Sequence, residues 1–414
     1  MLYLSRSILL LICLTVLFAS FGRAQEKAVN LKPNQPLTFA LSPSGEKSFV
    51  LTMNEDDFAE INWLANDNLI LSFQIYDSAR KLWLTTNSSD EDSLSFVAPK
   101  ASEYTLVITF ENKSEITESQ NISLEYKNKF KLPAGSKPKD IRKINGYDVK
   151  IIIAPGMEAE YEDSIVLIER NGKLKKIMKH GAGGVAGFSF ADDITKAYSA
   201  QAKRVIPLIK STLDKTGDGI PDVMINYFSG GTHCCSETYF INLGETVETV
   251  DSIGTGHTGM IVSGKNPKGG LLFETADNAY AYWLTYFANS PFPGVILEFK
   301  NGKLQPNFEL MKKPAPSLAV LKKRAFTDRQ QLSLEPYYGE NNESSILYKE
   351  DANAQTVFWG VMLDLIYTGH EELAWQYLDL VWDTKKQGKK IFINDFKNRL
   401  ANSQYWQITK KEEK

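Results

Sequence analysis

Between Leu37 and Tyr126 apolar and polar residues alternate with a period of two. Phe49, Leu51 and Met53 share one face of a segment, and Leu69, Leu71, Phe73 and Ile75 share another. Tyr104, Leu106, Ile108 and Phe110 form a third, and Ile122, Leu124 and Tyr126 close the series. Successive side chains of a strand point to opposite faces, so this spacing predicts strands with one buried side. Clusters of Asp, Asn, Ser and Pro separate them, which predicts an antiparallel β-sandwich over residues 25–130. Further on, Val149–Ala154 and Ser164–Glu169 are β-branched runs. Asn171-Gly172 and Asn301-Gly302 predict two-residue hairpin turns, whose central positions favour left-handed backbone. From Ala354 the spacing becomes helical. Phe358, Met362, Leu365 and Ile366 mark one helix, Ala374, Leu378 and Val381 the next, and Phe392, Phe396 and Leu400 a third. Gly369 and Gly388 stand as C-terminal stops. Four of the seven tryptophans, Trp359, Trp375, Trp382 and Trp406, fall in this stretch and read as core.

The expected fold is multidomain and mainly β with a helical C-terminus. A β-sandwich over 25–130 leads through a linker at 131–140 to a β domain over 141–313, then to a helical region over 314–414. The lysine-rich stretch from Lys127 to Lys143 also holds Pro133, Gly135, Ser136 and Pro138. It reads as solvated linker, with a polyanion-binding patch as the alternative.

Compartment is indicated by the N-terminus. Arg6 precedes an apolar run from Ile8 to Phe21, and Gly22-Arg23-Ala24 offers a small-residue cleavage site before Gln25. That pattern predicts a signal peptide over 1–24, export to the periplasm or beyond, and no membrane span. The 414 residues carry 47 basic and 50 acidic side chains. This balance gives no electrostatic footprint for nucleic acid.

The densest chemistry is the run from Asp214 to Asp222. Calcium takes several oxygen ligands from a tightly curled loop. Asp214, Thr216 and Asp218 place side-chain oxygens at positions one, three and five, and Gly219 permits the sharp turn. Ile220 offers its backbone carbonyl and Asp222 a further carboxylate at position nine. Position twelve is Ile225, where a helix–loop–helix calcium site carries a bidentate glutamate. The next residues, Val223 to Phe228, read as a strand. Calcium is therefore the expected cofactor, held on β structure.

Three resemblances bear on these segments. Phe49–Met53, Asn68–Asp77 and Ser95–Pro99 running into Glu103–Ile108 resemble the bacterial pre-peptidase C-terminal domain in content and order. That family makes a glycine turn where this chain has Ser78-Ala79, and usually carries a glycine near Ser102-Glu103-Tyr104. The resemblance implies a non-catalytic β-sandwich accessory module. The loop Asp214–Asp222 with its adjoining strand is similar to the FG-GAP and VCBS-type repeats, whose tandem loops build propeller blades. One good copy stands here, since Asp277-Asn278 lacks the glycines, so a partial, blade-like domain is implied. Gly217–Val223 with Ser229-Gly-Gly-Thr-His-Cys-Cys235 also resembles a set of exported bacterial proteins with a Gly-Gly-x-His-Cys-Cys signature. That likeness implies no activity.

Cys13 leaves with the signal peptide, so Cys234 and Cys235 are the remaining thiols, in an oxidising compartment. A vicinal disulfide, two reduced thiols, and a soft-metal site with His233 and perhaps His257 compete. The disulfide is the reading adopted, because the compartment favours it and no other mature cysteine competes, while the divergence of adjacent side chains on a strand counts against one metal.

No catalytic constellation emerges. Gly254–Gly259 matches a dinucleotide fingerprint but leads into an apolar strand, not a helix. Ser189 lacks the glycine of a nucleophile elbow, and Ala374 stands where a zincin would carry its second histidine after His370. The expectation is an exported, calcium-stabilised, non-enzymatic binding protein for a protein or carbohydrate ligand. The alternatives are a secreted hydrolase with an accessory domain, and a thiol or soft-metal protein.

Overall fold

A computed structural model describes residues 28–406 apart from 67, 89–92, 113–115, 156–161, 180–186, 192–208, 210–212, 232–233, 286, 331–333, 339–343, 349–357 and 383–388. The expected signal peptide and Gly388 lie outside the described residues. The chain divides into two compact units, Met1–Phe130 and Lys131–Lys414.

The first unit has strands β1 (Val29–Asn30), β2 (Leu37–Leu41), β3 (Glu46–Met53), β4 (Phe58–Leu64) and β5 (Leu71–Asp77). It continues with β6 (Leu82–Asn87), β7 (Ser93–Val97), β8 (Ser102–Phe110) and β9 (Gln120–Lys127). They form two sheets, ordered β1-β3-β8-β5-β6 and β2-β9-β4-β7. Every pairing is antiparallel except the short β1–β3 contact. Phe49, Leu51, Phe73, Leu106 and Ile108 of one sheet and Ile61, Leu94 and Ile122 of the other share one buried core. Trp63 stacks on Phe73 across it, centroids 4.3 Å apart. This is the β-sandwich that the alternation predicts. At the turn after β5, Asp77 accepts from the amides of Ala79 (2.9 Å) and Lys81 (3.0 Å) and pairs with Lys100 at 2.9 Å. The Lys100 ammonium holds its carboxyl well below the usual range. Arg80 takes φ +61° there, the left-handed position that a glycine turn would fill.

The second unit is built from three four-stranded antiparallel meanders in chain order. The first holds β10 (Lys137–Ile144), β11 (Tyr147–Pro155), β12 (Glu162–Arg170) and β13 (Lys173–Lys179). The second holds β14 (Gly187–Phe190), β15 (Asp222–Gly231), β16 (Cys234–Leu243) and β17 (Val247–Gly256). The third holds β18 (Ile261–Lys265), β19 (Leu271–Ala276), β20 (Gly294–Lys300) and β21 (Lys303–Pro306).

Period two places a different neighbour on each face of the middle sheet. Val223, Ile225, Ile241 and Leu243 pack with Val149, Ile151, Val166 and Ile168 of the first meander. Met224 and Phe240 point the other way, into the core with Val262, Phe273 and Leu297 of the third. The hairpin turns Asn171-Gly172 and Asn301-Gly302 both have left-handed backbone, and Asn145-Gly146 makes a third. The stretch 131–140 read as linker differs: β10 begins at Lys137. It is an edge strand with alternating exposed lysines, and charge on a sheet edge blocks further pairing. In composition that protection looks the same as a linker.

Among the described residues five helices follow: α1 (Phe308–Met311), α2 (Leu318–Gln330), α3 (Phe358–Tyr367), α4 (Glu371–Val381) and α5 (Lys389–Ala401). Between α2 and α3 lies a hairpin of β22 (Leu334–Tyr338) and β23 (Ser344–Tyr348). The spaced residues Phe358, Met362, Ala374, Leu378, Phe392 and Phe396 are all buried and continue the core of the third meander. Trp359 and Trp382 are buried, while Trp375 and Trp406 pack against the same core. Gly369 ends α3 at φ +89°, with the His370 amide donating back to the Leu365 carbonyl at 2.7 Å.

Candidate functional site

The loop between Leu213 and β15 is held by its own carboxylates. Asp214 accepts three backbone amides: Gly217 at 2.6 Å, Asp218 at 3.2 Å and Gly219 at 2.8 Å. That curl needs left-handed backbone, which Gly217 (φ +86°) and Gly219 (φ +89°) supply. Asp222 Oδ2 accepts from the amides of Lys215 (2.9 Å) and Thr216 (3.0 Å). The Lys215 ammonium turns beneath the loop and donates to the Asp222 carbonyl at 2.8 Å.

These bonds bring Asp214, Asp218 and Asp222 together, with ligand oxygens all within 4.8 Å of one another. Asp222 is fully buried and Thr216 nearly so. Neither Asp222 Oδ1 nor Thr216 Oγ1 makes a hydrogen bond of acceptable geometry, although the hydroxyl lies close enough to lower the carboxyl's proton affinity slightly. Burial pushes the Asp222 carboxyl up to about 6, the nearby Asp218 charge adds to this, and the two backbone amides oppose it. Ile220 sits at the tip, its amide donating to Asp218 Oδ1 at 2.8 Å. Ile225 is in the core of the middle sheet, so no twelfth-position ligand exists. All the donors at hand are hard oxygens, and two of them are buried without partners. Such a set fits a calcium ion and not a soft metal.

One residue outside the expected ligand run also belongs here. Asn242 of β16 donates to Asp218 Oδ2 at 3.1 Å and accepts from the Gly244 amide at 2.9 Å. Nothing local to the loop signals Asn242. It arrives through strand pairing, which sets Asn242 opposite Asp222.

The opposite end of the same sheets carries the other flagged motifs. Cys235 is disulfide-bonded, and its amide donates to Ser229 Oγ at 2.6 Å. His233 and the Cys234 side chain lie outside the described residues. Pairing of Ser236 with Gly256 brings Cys235 and His257 to one end of the sheet. The His257 ring meets Phe287 at 4.7 Å and Tyr282 and Phe292 at 6.3 Å each. Tyr282 is 52% exposed and takes φ +58°. Gly254 and Gly256 end β17 and no helix begins there, so the dinucleotide spacing does not cradle a phosphate.

The remaining motifs are structural. Ser189 lies mid-strand opposite Asn226, while His180–Gly184 lies outside the described residues. His370 stands at the N-cap position of α4 without a side-chain capping bond, its Nε2 instead 2.7 Å from the Lys313 carbonyl. Asp277 is buried, and its carboxylate accepts from Tyr367, Ser403 and the Ala279 amide (2.8 Å), which ties α3 and the chain after α5 to the third meander. Among the described residues no helix is long and apolar enough to cross a membrane.

No family model and no curated protein matches this chain. Among solved structures, the pre-peptidase C-terminal domain of a Bacillus anthracis collagenase aligns at 12% identity, covering 26% of this chain and 100% of its own, with a TM-score of 0.21. Salmonella Typhimurium PliG, a periplasmic inhibitor of g-type lysozyme, aligns at 12% identity, covering 25% and 100%, also at 0.21. The Bacillus licheniformis lipase BlEst2 in propeptide form aligns at 9% identity over 58% of this chain and 43% of its own, at 0.16. At these scores the likenesses carry no argument about activity.

Proposed function

We propose that this chain is an exported, non-enzymatic binding protein whose second unit is stabilised by calcium. Asp214, Thr216, Asp218, the Ile220 carbonyl and Asp222 would hold the ion, which supplies positive charge to a crowded acidic loop and no redox chemistry. One observation carries the reading: the buried, unpartnered oxygens Thr216 Oγ1 and Asp222 Oδ1 beside two further carboxylates. A buried carboxylate oxygen with no well-formed hydrogen bond is costly, and a divalent cation is a partner this set of oxygens fits. The loop leading into β15 supports the FG-GAP and VCBS likeness, and the sandwich supports a pre-peptidase-like accessory module. A disulfide at Cys235 supports the vicinal bond with Cys234, and a bonded sulfur is no thiolate for a soft metal. The exposed Tyr282 with Phe287, Phe292 and His257 is the surface we assign to a protein or carbohydrate ligand.

Calorimetric titration of calcium into the chelator-stripped mature protein tests the proposal. One site should appear in the wild type and vanish in Asp218→Ala. No heat and no shift in melting temperature for the wild type would sink it.

A further inference from the structure

We infer that Asn242 is a positioning residue of the cation site, and that the occupied loop clamps the ends of all three meanders together. This rests on the calcium reading and adds the route by which the loop reaches the rest of the unit.

Asn242 is buried near the end of β16, and a buried amide must satisfy both of its ends. Its Nδ2 donates to Asp218 Oδ2, while the other Asp218 oxygen accepts from the Ile220 amide. The most exposed of the three carboxylates is therefore held on both oxygens and aimed. Its aim comes partly from a strand that the loop does not contain. The amide oxygen of Asn242 accepts from Gly244, which begins the turn into β17. A β-carbon at Gly244 would stand 3.1 Å from both Asn242 Oδ1 and Ile220 Cγ2, so the turn and the loop tip are in direct contact.

The same turn receives the first meander. Tyr147 donates its hydroxyl to the Gly244 carbonyl at 2.7 Å, and Asn145 Nδ2 donates to the Leu243 carbonyl at 2.7 Å. On the other flank the loop touches the third meander. The Lys215 carbonyl accepts from the Leu271 amide at 3.2 Å, and Gly270 lies 3.7 Å from where a Gly217 β-carbon would be. The second and third sheets thus touch the loop directly, and the first reaches it through the β16–β17 turn. A cation that fixes Asp218, Asp222 and Thr216 fixes the loop's shape, and with it all of these contacts. Without it, mutual repulsion of the carboxylates loosens them as a group.

Calcium calorimetry and amide hydrogen exchange on the full mature chain, in calcium and in chelator, test this. Chelation should speed exchange at 213–222, and also at the Gly244 and Leu271 amides. Asn242→Ala should weaken calcium binding by about tenfold or more, as loss of an outer-shell partner does. It should also uncouple Gly244 exchange from calcium. Tyr147→Phe removes the hydroxyl that reaches Gly244. It should leave calcium affinity within about twofold and reduce the calcium dependence of exchange at Asn145–Tyr147, where the Asn145 bond to Leu243 remains. That variant serves if Asn242→Ala does not fold. Absence of calcium binding in the wild type overturns both this inference and the calcium reading. Normal affinity in Asn242→Ala, with exchange changes confined to 213–222, overturns this inference alone.

Discussion

Removing calcium should destabilise the second unit by an amount that the Asp222 environment sets. Burial lifts that carboxyl from 3.8 to about 6, roughly two pH units. Each unit is worth about 1.4 kcal/mol, so keeping Asp222 ionised at neutral pH costs the metal-free fold about 3 kcal/mol. A cation against its free oxygen removes that cost. By mass action an ion would supply about 2.7 kcal/mol when present at about 100 times its dissociation constant. For a unit this large, with an unfolding entropy of about 0.6 kcal/mol/K, about 3 kcal/mol moves the melting temperature by roughly 5 °C. The sign of the pH dependence separates this mechanism from a general salt effect. A carboxyl whose folded pKa is raised holds its proton more tightly when folded, so its contribution falls as pH rises from about 4 through about 6. In chelator the melting temperature of this unit should therefore rise between about pH 7.5 and about pH 5.5. In calcium it should change little over that range, because the bound ion keeps Asp222 ionised and removes its uptake of a proton. Asp222→Asn should remove the rise in chelator. Differential scanning calorimetry at the two pH values, with and without chelator, makes the measurement. Superimposable melts with and without chelator at the higher pH, or equal chelator effects at both values, would refute the reasoning.

The other predictions concern separate parts of the chain. Residues 25–130 expressed alone should unfold cooperatively by circular dichroism, since their core closes within one sandwich. Its stability should be complete above the ordinary carboxylate value of 3.8 and decline as pH falls below it, because Lys100 depresses the Asp77 pKa and acid removes the pair. Asp77→Asn should flatten that decline. Asp277→Ala strands the Tyr367 and Ser403 hydroxyls and should lower stability by about 3 kcal/mol in denaturant titrations. Intact mass should find the mature chain two hydrogens lighter than after reduction, and alkylation should label Cys234 and Cys235 only once reductant is added. Full labelling of both cysteines in untreated protein would remove the disulfide.

What the sequence alone determined is local or periodic. Alternation at Phe49–Met53 and Tyr104–Phe110 names a strand's buried face, because side chains repeat every two residues along any strand. The helical spacing of Phe358, Met362, Ile366 and of Phe392, Phe396, Leu400 does the same for helices. The Asn-Gly pairs announce hairpins through their own backbone preference, and the spacing from Asp214 to Asp222 announces a tightly curled loop that gathers its carboxylates. Tertiary structure alone decided how these parts meet. Nothing near Val223 or Met224 says that one faces the first meander and the other the third, since both look apolar in sequence. The lysines of β10 are indistinguishable in composition from a linker, because an edge strand guards itself with the residues that solvate a linker. Asn242 reaches Asp218 across 24 residues, and Tyr147 reaches Gly244 across 97. His257 joins Tyr282, Phe287 and Phe292 only once β17 and the loop before β20 lie side by side. Contacts between residues that far apart along the chain depend on packing, and no local pattern encodes them.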